Sequence, residues 1–255
     1  MVAAATPPGD LIHPRAAAFR IDGSNGEAFV LVHGFTGNAA HFRHLGGQLA
    51  DRGYTVNAPL LPGHGRSIGD LARVRRSDWV DATVDAIREV GDHRRVHVVG
   101  LSMGGLLGVI AATRAPVATL TTINAPIRFQ NWRIRFARVA RLYQRELRWP
   151  ESPPPKLDPE VAPHWIHLDG FPMIAAAELF TLSRRALQAA PQVTCPGLVI
   201  QSKVDDTSHP ASGRKLRRAL GNDTRLLWLE HSMHNALFDT ERDVIRDAIM
   251  TLTQS

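Results

Sequence analysis

Val96-His97-Val98-Val99-Gly100-Leu101-Ser102-Met103-Gly104-Gly105-Leu106-Leu107-Gly108-Val109-Ile110 carries two patterns back to back. An apolar run of the length of one buried strand ends at Gly100, and an apolar helical pattern opens at Met103. Between them stands G-x-S-x-G, Gly100 to Gly104, with Ser102 at its centre. A serine between a strand and a helix sits on a sharp, strained turn. Small residues two before and two after it let the backbone approach closely. The helix N-terminus then points its free N–H groups toward an oxygen that becomes charged. The bare motif is common by chance, and the strand before and helix after it are what make it specific. Ser102 is the candidate nucleophile.

Outward from this stretch, short apolar runs alternate with longer helical patterns, which argues for βαβ units and a mostly parallel sheet. Strands are expected at 19–21, 29–32, 54–58, 96–100, 120–123, 198–201 and 225–229. Helices are expected from Asn38, from a cap at Ser77, over 103–113, and over 240–252. The rhythm breaks between Pro126 and Pro196, where two helical patterns flank the proline-rich 151–156 with no strand signal between them. That excursion reads as an inserted helical cap over 126–195, with 1–125 and 196–255 as the core. Ligands bind outside the carboxyl ends of parallel strands, so an insert launched there covers the site.

A serine hydroxyl needs a general base, and the base needs an orienting partner. In strand–serine–helix proteins of this kind the acid follows a late strand and the histidine a later one. Of twelve histidines, His234 in E-H-S-M-H-N-A stands where that order delivers a base, with His231 as its rival. His97 alternates within a strand and reads as packed, while His41, His44 and His93 read as surface positions. For the acid, Asp205 and Asp206 both follow the strand L-V-I-Q, and order alone does not separate them. An oxyanion formed at Ser102 has one donor in the Met103 N–H. The second is expected from His33-Gly34-Phe35-Thr36-Gly37, where Phe35 N–H is the candidate and His33 holds the loop. The P-G-H-G at 62–65 lacks the lysine and hydroxyl of a phosphate loop.

These motifs together, H-G-F-T-G-N, P-G-H-G, G-L-S-M-G-G and S-x-H, resemble the carboxylesterase and monoacylglycerol-lipase branch of bacterial α/β-hydrolases, from about residue 28 onward. The resemblance implies the α/β-hydrolase fold with a small helical cap that forms an acyl pocket. It implies Asp205, five residues before Pro210, as the acid, and His234, ending S-x-H, as the base. The implied activity is hydrolysis of short- to medium-chain esters or monoacylglycerols through an acyl-enzyme, with no cofactor or metal. Carbon–carbon bond hydrolases and perhydrolases share such a triad and are the alternatives within the enzyme class. A non-catalytic binding protein on the same scaffold is the alternative outside it. The chain departs from the branch in an arginine-rich cap and in Asp206-Thr207-Ser208-His209 after the acid.

The 255 residues are 44% hydrophobic and 21% charged, the balance of a globular protein with a full core. One cysteine, Cys195, excludes an intrachain disulfide and reads as a small buried residue at a strand entrance. No run approaches the ~18 apolar residues of a membrane span. The first ten residues lack a basic start and an apolar core of secretory length, so a cytoplasmic location is expected. The +6 formal charge comes from 27 arginines and 3 lysines against 24 acids, with no recognisable nucleic-acid-binding fold around it. The expected partner is a small ester, not nucleic acid.

One basic cluster stands out at 133–148. On a helical wheel Trp132, Phe136, Val139, Tyr143 and Leu147 share one side, and Arg138, Arg141, Arg145 and Arg148 the other. The first reading is a cap helix that buries its apolar stripe over the site and shows a solvated basic face. The second is weak contact of the cap with a lipid surface.

Overall fold

The computed structural model describes residues 10–140, 142–150, 157–221 and 223–254. Nine strands are found among them: β1 (Phe19–Ile21), β2 (Glu27–Val32), β3 (Thr55–Ala58), β4 (Arg95–Leu101), β5 (Thr119–Ile123), β6 (Glu146–Arg148), β7 (Gly170–Pro172), β8 (Gly197–Ser202) and β9 (Thr224–Leu229). The helices are α1 (Arg43–Ala50), α2 (Ile68–Leu71), α3 (Arg76–Arg88), α4 (Met103–Ala111), α5 (Ala137–Ala140), α6 (Met173–Ala189), α7 (Ala211–Leu220) and α8 (Arg242–Thr253). Seven strands form one sheet in the order β1-β3-β2-β4-β5-β8-β9, parallel throughout except for β1. The alternation of apolar runs and helical patterns therefore does encode a doubly covered parallel sheet.

Successive side chains of a strand face opposite sides, and the core divides accordingly. Val30, Val32 and Val98 pack with Trp79 and Val84 of α3, Leu106 and Leu107 of α4, and Leu179 and Leu182 of α6. Phe29, Leu31, Val99 and Leu101 pack on the other face with Leu45 and Leu49 of α1 and with Ile245 and Ile249 of α8. Burial on both faces is why β2, β4 and β8 read as continuous apolar runs. His97 fits this scheme as a packed strand residue, its ring nitrogens 2.8 Å from Thr119 Oγ1 and 3.1 Å from Glu27 Oε2.

Four expectations need correction. Helix α3 starts at Arg76, not after Ser77, because the Asp78 carboxylate reaches back to accept the Arg75 N–H at 2.9 Å. His41 is buried, with Nε2 2.8 Å from the Ile166 carbonyl. His44 is half-buried, and His93 bonds Val90 and Thr55. The stretch between β5 and β8 contains strands: β6 and β7 pair antiparallel. The amphipathic helix over 132–148 does not form. A 3₁₀ turn (Trp132–Phe136) leads into α5, a turn follows, and the chain is then captured as β6. The capture is local chemistry. Met173 N–H donates to Arg145 O and Trp149 N–H to Asp169 O, and Gly170 lets the strands close where a Cβ would lie 2.3 Å from Leu147 O. Arg141, the proline-rich 151–156 and the N-terminal residues 1–9 lie outside the described residues.

Candidate active site

Three residues other than glycine hold a positive φ among the described residues: Thr36 (62°), Ser102 (54°) and Asn124 (50°). They follow β2, β4 and β5, three neighbouring strands, at their carboxyl ends. Strained backbone is retained where the surroundings force it, and here it gathers at one edge of the sheet.

Ser102 sits between β4 and α4 at φ 54°, ψ −116°. The glycines around it are demanded by contact. A Cβ on Gly100 would lie 2.2 Å from the backbone of Gly104, and one on Gly104 would lie 1.9 Å from Val32 O. The helix is thereby drawn onto β2 and β4, and the serine is held at its N-terminus. Gly34 lies against the serine too, with room for a Cβ only 3.2 Å from Ser102 Cβ.

Asp205 follows β8 and His234 follows β9, and the fold brings both to Ser102. His234 Nε2 is 2.9 Å from Ser102 Oγ. His234 Nδ1 is 3.0 Å from each carboxylate oxygen of Asp205. Asp205 is buried and accepts two further bonds, from Thr207 N–H at 2.8 Å and Ser208 N–H at 2.7 Å. Asp206 is exposed and accepts the Thr207 hydroxyl. His231, the rival base, is exposed, and its backbone N–H donates to Glu241.

The loop after β2 is fixed from behind. His33 is fully buried, with Nδ1 2.9 Å from Gly34 O and Nε2 accepting the Leu61 N–H at 3.0 Å. Burial first, and the neighbouring His64 ring second, hold the His33 pKa well below its ordinary value, so this imidazole is neutral. Gly34 O also accepts the Gly37 N–H. In a trans peptide the N–H opposes the C=O, so tying down Gly34 O turns the Phe35 N–H the other way.

Sequence reasoning missed the supports of the histidine loop. Asn124 is buried, and its Nδ2 donates to the carbonyls of Met233 (3.2 Å) and His234 (2.9 Å) while its Oδ1 accepts the Ser202 N–H (2.7 Å). One side chain thus joins β5, β8 and the loop carrying His234. Its signal was an asparagine at a strand end, a residue that tolerates the left-handed region. Glu241 accepts the N–H groups of Glu230, His231 and Ser232 and the Ser232 hydroxyl. Burial works against its charge, but these bonds outweigh it and pull its pKa down to about 2. Nothing near Glu241 in sequence announced this, because its partners are mostly backbone. Gln130 is a third support, donating from Nε2 to Asp205 O at 2.8 Å.

The stretch between β5 and β8 returns over the site. Leu168 N–H donates to Thr36 O, Asn38 Nδ2 donates to Ile166 O, and the Phe35 ring packs 5.6 Å from that of Phe171. Ser102 is left 7% exposed. Cys195 plays no part here. It is half-buried at the entrance to β8, and burial raises its thiol to about 11, far from a reactive thiolate.

A family model described as the alpha/beta hydrolase family matches residues 29–248. A carboxylesterase of Bacillus subtilis (strain 168) is 25% identical over 88% of this chain and 90% of its own length. A thermostable monoacylglycerol lipase of Bacillus sp. (strain H-257) is 26% identical over 85% of this chain and 86% of its own. Among solved structures, one from a study of two metagenome-derived lipolytic enzymes superposes with a TM-score of 0.86 at 30% identity, covering 95% of this chain and 99% of that one.

Proposed function

This chain belongs to the alpha/beta hydrolase family, and on that premise we propose that it is a serine carboxylesterase acting on short- to medium-chain esters or monoacylglycerols. The observation that carries the reading is the unbroken line Ser102 Oγ–His234 Nε2, His234 Nδ1–Asp205 at 2.9 and 3.0 Å. The names of similar proteins, a carboxylesterase and a monoacylglycerol lipase, support the ester as substrate class.

Ser102 Oγ attacks the ester carbonyl as His234 Nε2 takes its proton. Asp205 holds the proton on Nδ1, which keeps Nε2 free to accept and stabilises the imidazolium that forms. The carbonyl oxygen becomes an oxyanion, bound by Met103 N–H at the start of α4 and by Phe35 N–H. His234 returns the proton to the leaving alcohol, leaving an ester on Ser102. Water, deprotonated by His234, attacks that ester and releases the acid. Residues 126–195 serve as the cap, with Phe35 and Phe171 walling the acyl side.

The test is Ser102→Ala, assayed on p-nitrophenyl esters and monoacylglycerols of increasing chain length. Turnover should vanish on every member of the panel while the melting temperature stays near that of the parent. Turnover retained by Ser102→Ala excludes the reading. Activity confined to acyl transfer onto hydrogen peroxide, giving a peracid, or to a carbon–carbon substrate would replace ester hydrolysis with one of the alternatives.

A further inference from the structure

Charge and exposed apolar surface coincide in one place. Residues 126–150 hold seven arginines against one glutamate, an excess of six, as large as that of the whole chain. The same stretch carries six of the eleven large apolar side chains that stand exposed among the described residues: Trp132, Phe136, Val139, Leu142, Tyr143 and Trp149. The apolar side that a cap helix would have buried is therefore turned outward.

The two features interleave. The Arg135 guanidinium lies 4.6 Å from the centre of the Trp132 ring and 4.7 Å from that of Phe136. Leu142 and Tyr143 form the turn between α5 and β6 and are 73% and 91% exposed. Arg148 is paired with Asp169 and Glu146, whereas Arg133, Arg135 and Arg145 belong to none of the ion pairs among the described residues. Rings also lead inward: Trp149 lies 5.1 Å from Phe171, and Phe171 lies 5.6 Å from Phe35, in the loop beside Ser102.

Apolar side chains scattered singly are ordinary surface, but a concentrated patch marks a contact site. The mixture selects the partner. Nucleic acid rewards arginine but not Val139 and Leu142. An apolar protein face rewards the latter but leaves Arg133, Arg135 and Arg145 unanswered. An anionic lipid surface rewards both, taking aromatic rings at headgroup level and guanidinium groups on its phosphates. We propose that residues 132–149 dock this protein on anionic bilayers, with Leu142 and Tyr143 entering the interface and Arg133, Arg135 and Arg145 meeting its charge. The docking stands on these residues alone. Its use, delivery of an ester along the Trp149–Phe171–Phe35 line, rests on the hydrolase reading.

The experiment is flotation of the full-length Ser102→Ala protein with vesicles of phosphatidylcholine alone and of phosphatidylcholine mixed with phosphatidylglycerol. Omitting turnover separates docking from catalysis. The protein should float with the mixed vesicles and remain behind with the neutral ones, and molar salt should release it. Each arginine at such a surface multiplies affinity about fivefold, so joint replacement of Arg133, Arg135 and Arg145 by glutamine should weaken flotation on the order of 100-fold. Tyr143→Ser should weaken it as well. In the active background, the triple variant should hydrolyse a short soluble ester at the parental rate, a result that fails separately if the hydrolase reading is wrong. Equal flotation on both vesicle types, or none, overturns the proposal. So does self-association that Tyr143→Ser abolishes, which makes the patch an interface between copies, or a tighter grip on duplex DNA than on the mixed vesicles.

Discussion

Asp205 and Asp206 are adjacent carboxylates with opposite environments. Asp205 is buried and faces His234, and Asp206 is exposed and turned toward the Thr207 hydroxyl. Sequence order left the two undivided. The family resemblance implies Asp205, and in the structure the Asp205 carboxylate is the one that lies against His234. The Thr207 and Ser208 amides fold back onto the Asp205 carboxylate and fix its direction. Asp205→Asn should therefore lower kcat on the order of 10⁴-fold, the scale for removing the orienting acid of a triad. Asp206→Asn should stay within a few-fold of the parent. Steady-state kinetics of the two variants on one p-nitrophenyl ester decides it, and a larger loss in Asp206→Asn would reverse the assignment.

At the scale of elements, legibility followed the kind of force involved. Strands β2, β4 and β8 were legible because burial on both faces writes a continuous apolar run. The turn at Ser102 was legible because close approach of α4 demands glycine at 100 and 104. Segment 132–148 was misread as one helix because periodicity sees only which residues share a side. It does not see that Gly170 offers a strand edge to Glu146–Arg148, a pairing between residues more than twenty apart. The role of Asn124 escaped for the same reason, since its partners come from β8 and the histidine loop. The elbow supplies the sharpest element-scale prediction. In Gly104→Ala the new methyl meets Val32 O and must push α4 off the sheet. Overpacking of this kind costs about 1–3 kcal/mol, and the displaced serine should lose activity beyond that. Urea unfolding measures the first and ester turnover the second; a variant as stable and active as the parent contradicts the close packing of α4 on β2.

The whole molecule carries a set of histidines that folding removes from water. Burial is the leading cause in each, and it lowers His41 and His64 to about 4 and moves His33 and His97 in the same direction. A folded-state pKa below the unfolded value of ~6.5 means that, on acidification, the unfolded chain takes up protons first. Stability is thus full above about pH 6.5 and is lost as pH falls toward 4. Each such histidine steepens the loss by about 1.4 kcal/mol per pH unit. Thermal unfolding followed between pH 7 and 4.5 should show a steep fall in Tm. His41→Gln, which keeps a donor for the Ile166 carbonyl, should flatten it. A Tm indifferent to pH over that window would contradict neutral burial of these rings.

On the proposed mechanism Ser102 carries the acyl group during ester hydrolysis. Mixing the enzyme with excess p-nitrophenyl ester, quenching in acid within the first turnovers and mapping the peptides by mass tests it most directly. One acyl adduct is expected, on the peptide containing Ser102 and absent from Ser102→Ala, formed together with a burst of nitrophenol. Rapid hydrolysis with no adduct, or an adduct on any other residue, would contradict it.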